Sequence, residues 1–101
     1  MSKLARDTTG HDVQAMAFGA TLVRAFTGSS AQSAAVSDTT YVVRLVATQD
    51  CFVEIGPDPT ATTSSAYLPA GVVEYVSITP GHKVAALQSS AGGNLYITQT
   101  V

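Results

Sequence analysis

The chain is poor in charged residues, cysteine and aromatic residues. Lys, Arg, Asp and Glu make up 12% of its 101 residues, about half of the ~25% that is usual for soluble domains. There is one cysteine and no tryptophan. A single cysteine excludes both an intramolecular disulfide and a multi-cysteine zinc site. So few charges indicate a protein that functions within an assembly, because a sparsely charged surface suits a free monomer poorly.

Basic clusters and long apolar runs are also missing. The net charge is −2, and the five basic residues are scattered at Lys3, Arg6, Arg24, Arg44 and Lys83. Nucleic acid binding requires Lys and Arg gathered on one face, so we expect no nucleic acid partner. No run approaches the ~18–20 apolar residues of a membrane span, and the first residues lack the apolar core of a signal peptide. We therefore expect a soluble protein, made in the cytoplasm, with no membrane partner.

Cys51 is the best candidate for a nucleophile, and its neighbours argue against that role. Asp50 and Glu54 lie close to it in sequence, and negative charge raises the pKa of a thiol and so disfavours the reactive thiolate. We expect Cys51 to be a small apolar residue on the inward face of a strand, together with Val53 and Ile55.

Metal and cofactor sites are equally poorly supported. His11 and His82 have no histidine or cysteine at metal-ligand spacing. The polar loop GPDPTATTSS (56–65) holds one carboxylate, Asp58, whereas calcium sites gather several carboxylate and carbonyl oxygens. No phosphate-binding, dinucleotide-binding or serine-nucleophile motif is present. We predict no catalytic residues, no metal and no cofactor.

From Tyr41 onward, short apolar segments alternate with turn signals about every ten residues, the pattern of an all-β sandwich or barrel. Two hairpins are expected, one joining 41–48 to 51–55 and one joining 82–88 to 95–101. The first would set Arg44 opposite Glu54 as a cross-strand pair. The second would use the glycines of SSAGGN in left-handed geometry. Further strands are expected at Ala66 to Leu68 and at 72–78.

The first 40 residues are harder to interpret. The stretch DVQAMAFGATLVRAF (12–26) fits both a helical spacing and a strand alternation. We favour an extended arm to about Gly19, a strand near 21–27 and a short strand near 32–36. The prediction is one all-β domain: an N-terminal arm over 1–20, then, over 21–101, a small antiparallel β-sandwich or jelly-roll-like barrel of about eight short strands.

The succession of elements after residue 43 resembles small accessory virion proteins of tailed bacteriophages. It comprises a V-R-x-V strand (43–46), DCFVEIG (50–56), a PTAT loop (59–62), YLPAG (67–71), EY (74–75), GHKVA (81–85) and GNLYIT (93–98). Each element alone is an ordinary strand or turn, and their order carries the resemblance.

The resemblance implies a non-enzymatic structural protein of the phage virion. The role we expect is that of a capsid decoration or cement protein, which binds the major capsid protein and stabilises the assembled head shell. We expect a homo-oligomer, with a trimer as the working assumption. The alternative is a head-fibre, tail or neck component, or a module that binds host-surface glycans through exposed tyrosines.

Six residues are the candidates for contacts with the chain's own copies or with other virion proteins. Two apolar residues of the arm and one of the strand after it could cover a neighbouring subunit, and three charged residues lie in the middle of predicted strands: Met16, Phe18, Leu22, Arg44, Glu54 and Glu74.

Overall fold

A computed structural model describes residues 3–6, 12–15 and 17–100, the first two ranges by their backbone alone. These residues are all-β and contain no helix. The ten strands are β1 (Lys3–Arg6), β2 (Asp12–Ala15), β3 (Phe18–Phe26), β4 (Ala31–Gln32), β5 (Val42–Ala47), β6 (Cys51–Gly56), β7 (Ala66–Leu68), β8 (Glu74–Ser77), β9 (Lys83–Gln88) and β10 (Gly93–Thr100). The all-β prediction is confirmed.

The strands form two antiparallel four-stranded sheets and a separate pair. Sheet I has the order β3-β10-β5-β8, and sheet II has the order β4-β9-β6-β7. Strands β1 and β2 pair only with each other. Each four-stranded sheet has two free edges, so the described strands close no barrel.

A dry apolar layer between the two sheets forms the core. Val43, Leu45, Leu95 and Ile97 of sheet I are at most 1% exposed and lie in one cluster with the inward residues of sheet II. The sequence of β5 explains its part, because Val43, Leu45 and Ala47 alternate with partly exposed residues. Burying a side chain of this size stabilises the fold by roughly 1.5–3 kcal/mol.

Sheet II supplies the opposite side of the core. Cys51, Leu68, Val84 and Ala86 are buried, and Val53 and Ile55 pack against the same cluster. The inward placement predicted for Cys51, Val53 and Ile55 is therefore confirmed. Phe26, at the end of β3, is the largest fully buried side chain.

Both predicted hairpins are wrong. The segment 41–48 lies in sheet I, where β5 pairs with β10 and β8, whereas β6 lies in sheet II and pairs with β7 and β9. The predicted Arg44–Glu54 cross-strand pair is also wrong, because it required this hairpin. Strands β9 and β10 also lie in different sheets. Each tight turn carries the chain across the core instead of back along the same sheet.

The glycine-rich loop before β10 also differs from the prediction. Among the described residues, only Gly71 and Gly81 have positive φ, in the turns after β7 and β8. At Gly92 and Gly93 glycine is required because the backbone lies close to neighbouring groups. A Cβ at position 92 would lie 2.9 Å from the Phe26 carbonyl oxygen, and a Cβ at position 93 would lie 2.7 Å from Thr48 Oγ1. A side chain at either position would push the loop away from these neighbours.

The strand expected near 32–36 is shorter than predicted, because β4 ends at Gln32. Beyond it the chain still follows β9, with the Ser33 amide donating to the Val84 carbonyl at 2.8 Å. The Ser33 hydroxyl oxygen, however, accepts the Val84 amide hydrogen at 3.0 Å. A side chain thus replaces a backbone partner, which interrupts the regular ladder.

A bulge near the start of β3 determines which way Phe18 points. Between the pairs Thr98↔Thr21 and Thr100↔Phe18, β3 advances three residues while β10 advances two. The extra residue lies at Gly19–Ala20 and reverses the alternation beyond it. Phe18 therefore lies on the outer side of sheet I, opposite to the side of Leu22. The helical reading of 12–26 fails wherever the structure describes those residues.

Asp50 joins two of the turns that cross between the sheets. Its side-chain Oδ1 accepts the Ala70 amide hydrogen at 2.8 Å, and its carbonyl oxygen accepts the Ser89 amide hydrogen at 3.1 Å. The Ala70 amide and, secondarily, the Tyr67 hydroxyl lower the pKa of the Asp50 carboxyl group below its ordinary value of 3.8. The ionised carboxylate is thus the form that the fold favours.

The lowered pKa predicts a pH-dependent contribution to stability. It is present above the unfolded-state pKa and is lost as the pH falls through the lower folded-state value. Urea unfolding between pH 6 and pH 2 should therefore show a smaller loss of stability for Asp50→Asn than for the wild type. Asp38→Asn, at an exposed loop position, controls for the change in net charge. Parallel pH profiles for Asp50→Asn and the wild type would contradict this role.

Candidate functional site

The outer side of sheet I carries a row of exposed apolar side chains. Because Leu45 and Ala47 face the core, alternation places Val46 on the outer side. The strand register sets Tyr96 between Val46 and Val23. Val23 is 56% exposed and Tyr96 is 37% exposed. This row crosses three neighbouring strands without a charged side chain.

A second row lies beside the first and contains the one cation that the described side chains contribute to this surface. Thr98 of β10 pairs with Arg44 of β5, which pairs with Tyr75 of β8. On the other side of Thr98, its hydroxyl hydrogen-bonds the hydroxyl of Thr21 at 3.1 Å. The hydroxyls of Thr21 and Thr98 thus form a hydrogen bond with each other.

Arg44 is held against an aromatic ring. Its guanidinium carbon lies 6.0 Å from the centroid of the Phe18 ring, at the outer limit of a cation–π contact. Phe18 itself is 58% exposed. We define the apolar face as the outer side chains Phe18, Val23, Arg44, Val46, Tyr75 and Tyr96. A contiguous apolar surface of this kind marks an interaction site more often than a catalytic one.

The outer side of sheet II carries an apolar row of its own, in which the strand register sets Phe52 between Tyr67 and Leu87. Phe52 and Tyr67 contact each other with ring centroids 5.5 Å apart. Next to them on β6, Glu54 is exposed and accepts a hydrogen bond from the Ser65 hydroxyl at 3.0 Å. The outer side of sheet II therefore also combines apolar and charged side chains.

The structure places the six predicted contact residues at different locations. Phe18 and Arg44 lie together on the apolar face. Leu22 is on the opposite side of sheet I and packs against the core, while Glu54 belongs to sheet II. Glu74 is exposed on β8 beside Leu45, and Met16 lies outside the described residues.

Sequence reasoning missed Val23 and Val46 as members of this surface. The available signal was in β5, where Val42 and Val46 make the outer side of the strand almost as apolar as the inner side. Such a strand is typical of a sheet covered on both faces. Nothing local in the sequence signals that Val23 and Tyr75 lie on the same surface as β5, because both belong to distant segments.

Cys51 is a buried thiol with no sign of activation. It is 0% exposed. Burial and, secondarily, the charge of Asp50 raise the pKa of the thiol to about 11. At neutral pH it therefore remains protonated, which is the opposite of what a nucleophilic cysteine needs.

The loop after β6 uses its carboxylate for a structural contact. The side-chain nitrogen of Gln32 donates to Asp58 Oδ1 at 2.6 Å and to the Pro59 carbonyl at 3.0 Å, which ties the loop to β4. Within the described part of the chain, no group of three or more His, Cys, Asp or Glu side chains could hold a metal ion. His82 is half-buried in its turn, and His11 lies outside the described residues.

Comparisons with protein-family profiles, with curated proteins and with solved structures find no match to this chain. Over the segments that the structure describes, no helix is long and apolar enough to cross a membrane.

The burial of Cys51 predicts an inert thiol that matters for stability. A thiol-reactive chromogenic disulfide should leave the native protein unmodified at pH 8 and titrate one thiol after unfolding in urea. Cys51→Ser should lower the free energy of unfolding by about 1–3 kcal/mol, because it buries a hydroxyl without a partner. Cys51→Ala is the matched control and should cost less. Rapid modification of the native protein, or a serine variant as stable as the alanine variant, would contradict this placement.

Proposed function

We propose that this chain is a non-enzymatic structural protein of a tailed-phage virion, a capsid decoration protein that binds the outside of the assembled head shell. The observation that carries the proposal is the apolar face of sheet I, on which Arg44 is the one charged residue. The order of sequence elements from residue 43 to 98 supports it. We further propose that the two sheets form a β-sandwich of the jelly-roll type.

The chemistry of the apolar face suits a permanent contact with another protein. Tyr75 and Tyr96 offer broad rings with little conformational entropy to lose, and such residues are enriched at the centres of interfaces. The paired hydroxyls of Thr21 and Thr98 can be buried at low cost, because each already has a hydrogen-bond partner. Arg44, stacked on Phe18, is available to a carboxylate of the shell protein.

Binding would stabilise the shell by mass action. A protein that binds the assembled lattice and not its dissociated subunits adds RT ln(1 + [L]/Kd) for each site, about 2.7 kcal/mol at a free concentration of 100 Kd. A shell has many equivalent sites, so small contributions accumulate over the lattice. No reaction is required of the decorating protein, in keeping with the protonated thiol of Cys51.

The proposal is tested on head shells that lack this protein. Adding the full chain should raise the melting temperature of the shells, and the chain should sediment with them. Tyr96→Lys, which places a charge at the centre of the apolar face, should lower the binding affinity at least tenfold.

Tyr67→Lys makes the matched change on sheet II, at a tyrosine that is 51% exposed, and should bind like the wild type. Circular dichroism verifies that both variants fold. Unchanged melting together with no co-sedimentation would reject the decoration role, and equal loss in both variants would reject the apolar face as the contact. Binding to fibre, neck or tail components instead of head shells would assign the protein to that part of the virion.

A further inference from the structure

Strand β3 is an unusually long edge strand. Of the four free edges of the two sheets, β4 has two residues, β7 three and β8 four, whereas β3 has nine. An edge strand presents unpaired backbone N–H and C=O groups, and folded proteins commonly keep such edges short. Three of the four edges follow that rule. The fourth, β3, offers a long row of backbone groups for pairing.

Both sides of β3 are largely exposed, although Leu22 packs against the core. Seven of its nine residues are exposed, and only Phe26 at its end is buried. An edge strand of two facing sheets normally buries one side. Here the facing sheet ends in β4, whose two residues are too short to cover β3. Ala20 and Arg24 are therefore exposed, although they lie on the side of sheet I that faces the core in the other strands.

The composition of β3 gives its second half little protection against pairing. It contains no proline and no lysine, and Arg24 is its one charge. The bulge at Gly19–Ala20 disturbs only the first part of the strand. From Thr21 to Phe26 the pairing with β10 is regular, so the opposite edge of that segment is a regular template for another strand.

We propose that the partner of β3 is β3 of a second copy of this chain, aligned antiparallel across a two-fold axis. The two-fold axis fixes which side chains meet, because residues directly opposite in an antiparallel pair lie on the same side of the sheet. With the axis at Leu22 or at Val23, Arg24 faces Ala20 or Leu22 of the second copy. Neither alignment sets the two Arg24 charges directly opposite each other, an arrangement that would be unfavourable.

Strand length favours this pairing over a ring in which β3 joins β8 of the next copy. Strand β8 has four residues, so it would leave about half of the β3 edge without partners. With the axis at Val23, pairing β3 with its own copy sets the segment Thr21–Ala25 of each copy against the same segment of the other, clear of the bulge, at roughly one hydrogen bond per residue. The result is a dimer and not the trimer that we assumed from the sequence.

The dimer joins the two apolar faces into one surface. Sheet I of one copy continues into sheet I of the other, with the order β8-β5-β10-β3-β3-β10-β5-β8. The Tyr96 side chains of the two copies would lie three strand spacings apart, about 14 Å. The inference does not depend on the proposed function, because pairing of free copies in solution needs no shell.

Cysteine cross-linking of the full chain tests this inference. Leu22→Cys and Val23→Cys are prepared separately and oxidised mildly, and the products are separated without reductant. We expect one of the two to give mostly cross-linked dimer, since only the residue on the axis meets itself. Wild type shows the background, which should be low because Cys51 is buried. Sedimentation equilibrium should give twice the chain mass of 10.4 kDa.

Two matched variants separate the alternatives. Tyr96→Cys, at the centre of the apolar face, should not cross-link across 14 Å, and Tyr75→Cys, on the β8 edge, should not cross-link either. Efficient cross-linking at position 96 would show face-to-face association and overturn the proposal. Mixed cross-links between Tyr75→Cys and Val23→Cys chains would show a ring and overturn it as well. A monomer with no cross-link at 22 or 23 would show that β3 stays free or is covered by the chain's own first 16 residues.

Discussion

Burial of an apolar layer between two sheets is the constraint on which this structure depends. The layer combines small side chains such as Val43 and Ala86 with larger ones such as Phe26, and every connection must keep the sheets close. Six of the seven links between β3 and β10 pass from one sheet to the other. Asp50 binds two of the crossing turns together through the Ala70 and Ser89 amides. The core and the turns therefore stabilise each other, and neither is sufficient alone.

Alternation along single strands was readable from the sequence, and pairing between strands was not. The alternation along 51–55 predicted the inward side of Cys51, Val53 and Ile55. The partner of a strand is a long-range property. Gln49-Asp50 is compatible with a hairpin, but the chain crosses the core there, and the Asp50 carboxylate accepts the amide hydrogen of Ala70, 20 residues away. The apolar face was hidden for the same reason, since it combines Val23, Val46 and Tyr75 from three separate segments.

The backbone also places one side chain that no pattern could have located. The bulge at Gly19–Ala20 turns Phe18 to the outer side of sheet I, where it meets Arg44. Without the extra residue, alternation would put Phe18 on the side of Leu22. The same segment thus contributes to the apolar face through Phe18 and offers an open edge through its backbone. The thiol of Cys51 is buried and protonated, and the carboxylate of Asp58 accepts a hydrogen bond from Gln32.

The position of β10 determines when sheet I can form during synthesis. This strand lies between β3 and β5, so sheet I has no continuous ladder until residues 93–100 have left the ribosome. Until then, the apolar side chains of β3 and β5 lack the neighbour that joins their strands. Folding of sheet I therefore waits for the synthesis of β10, and formation of contacts so distant in sequence is slow. During that interval the growing chain is exposed to aggregation, and chaperones or rapid pairing with other chains would protect it.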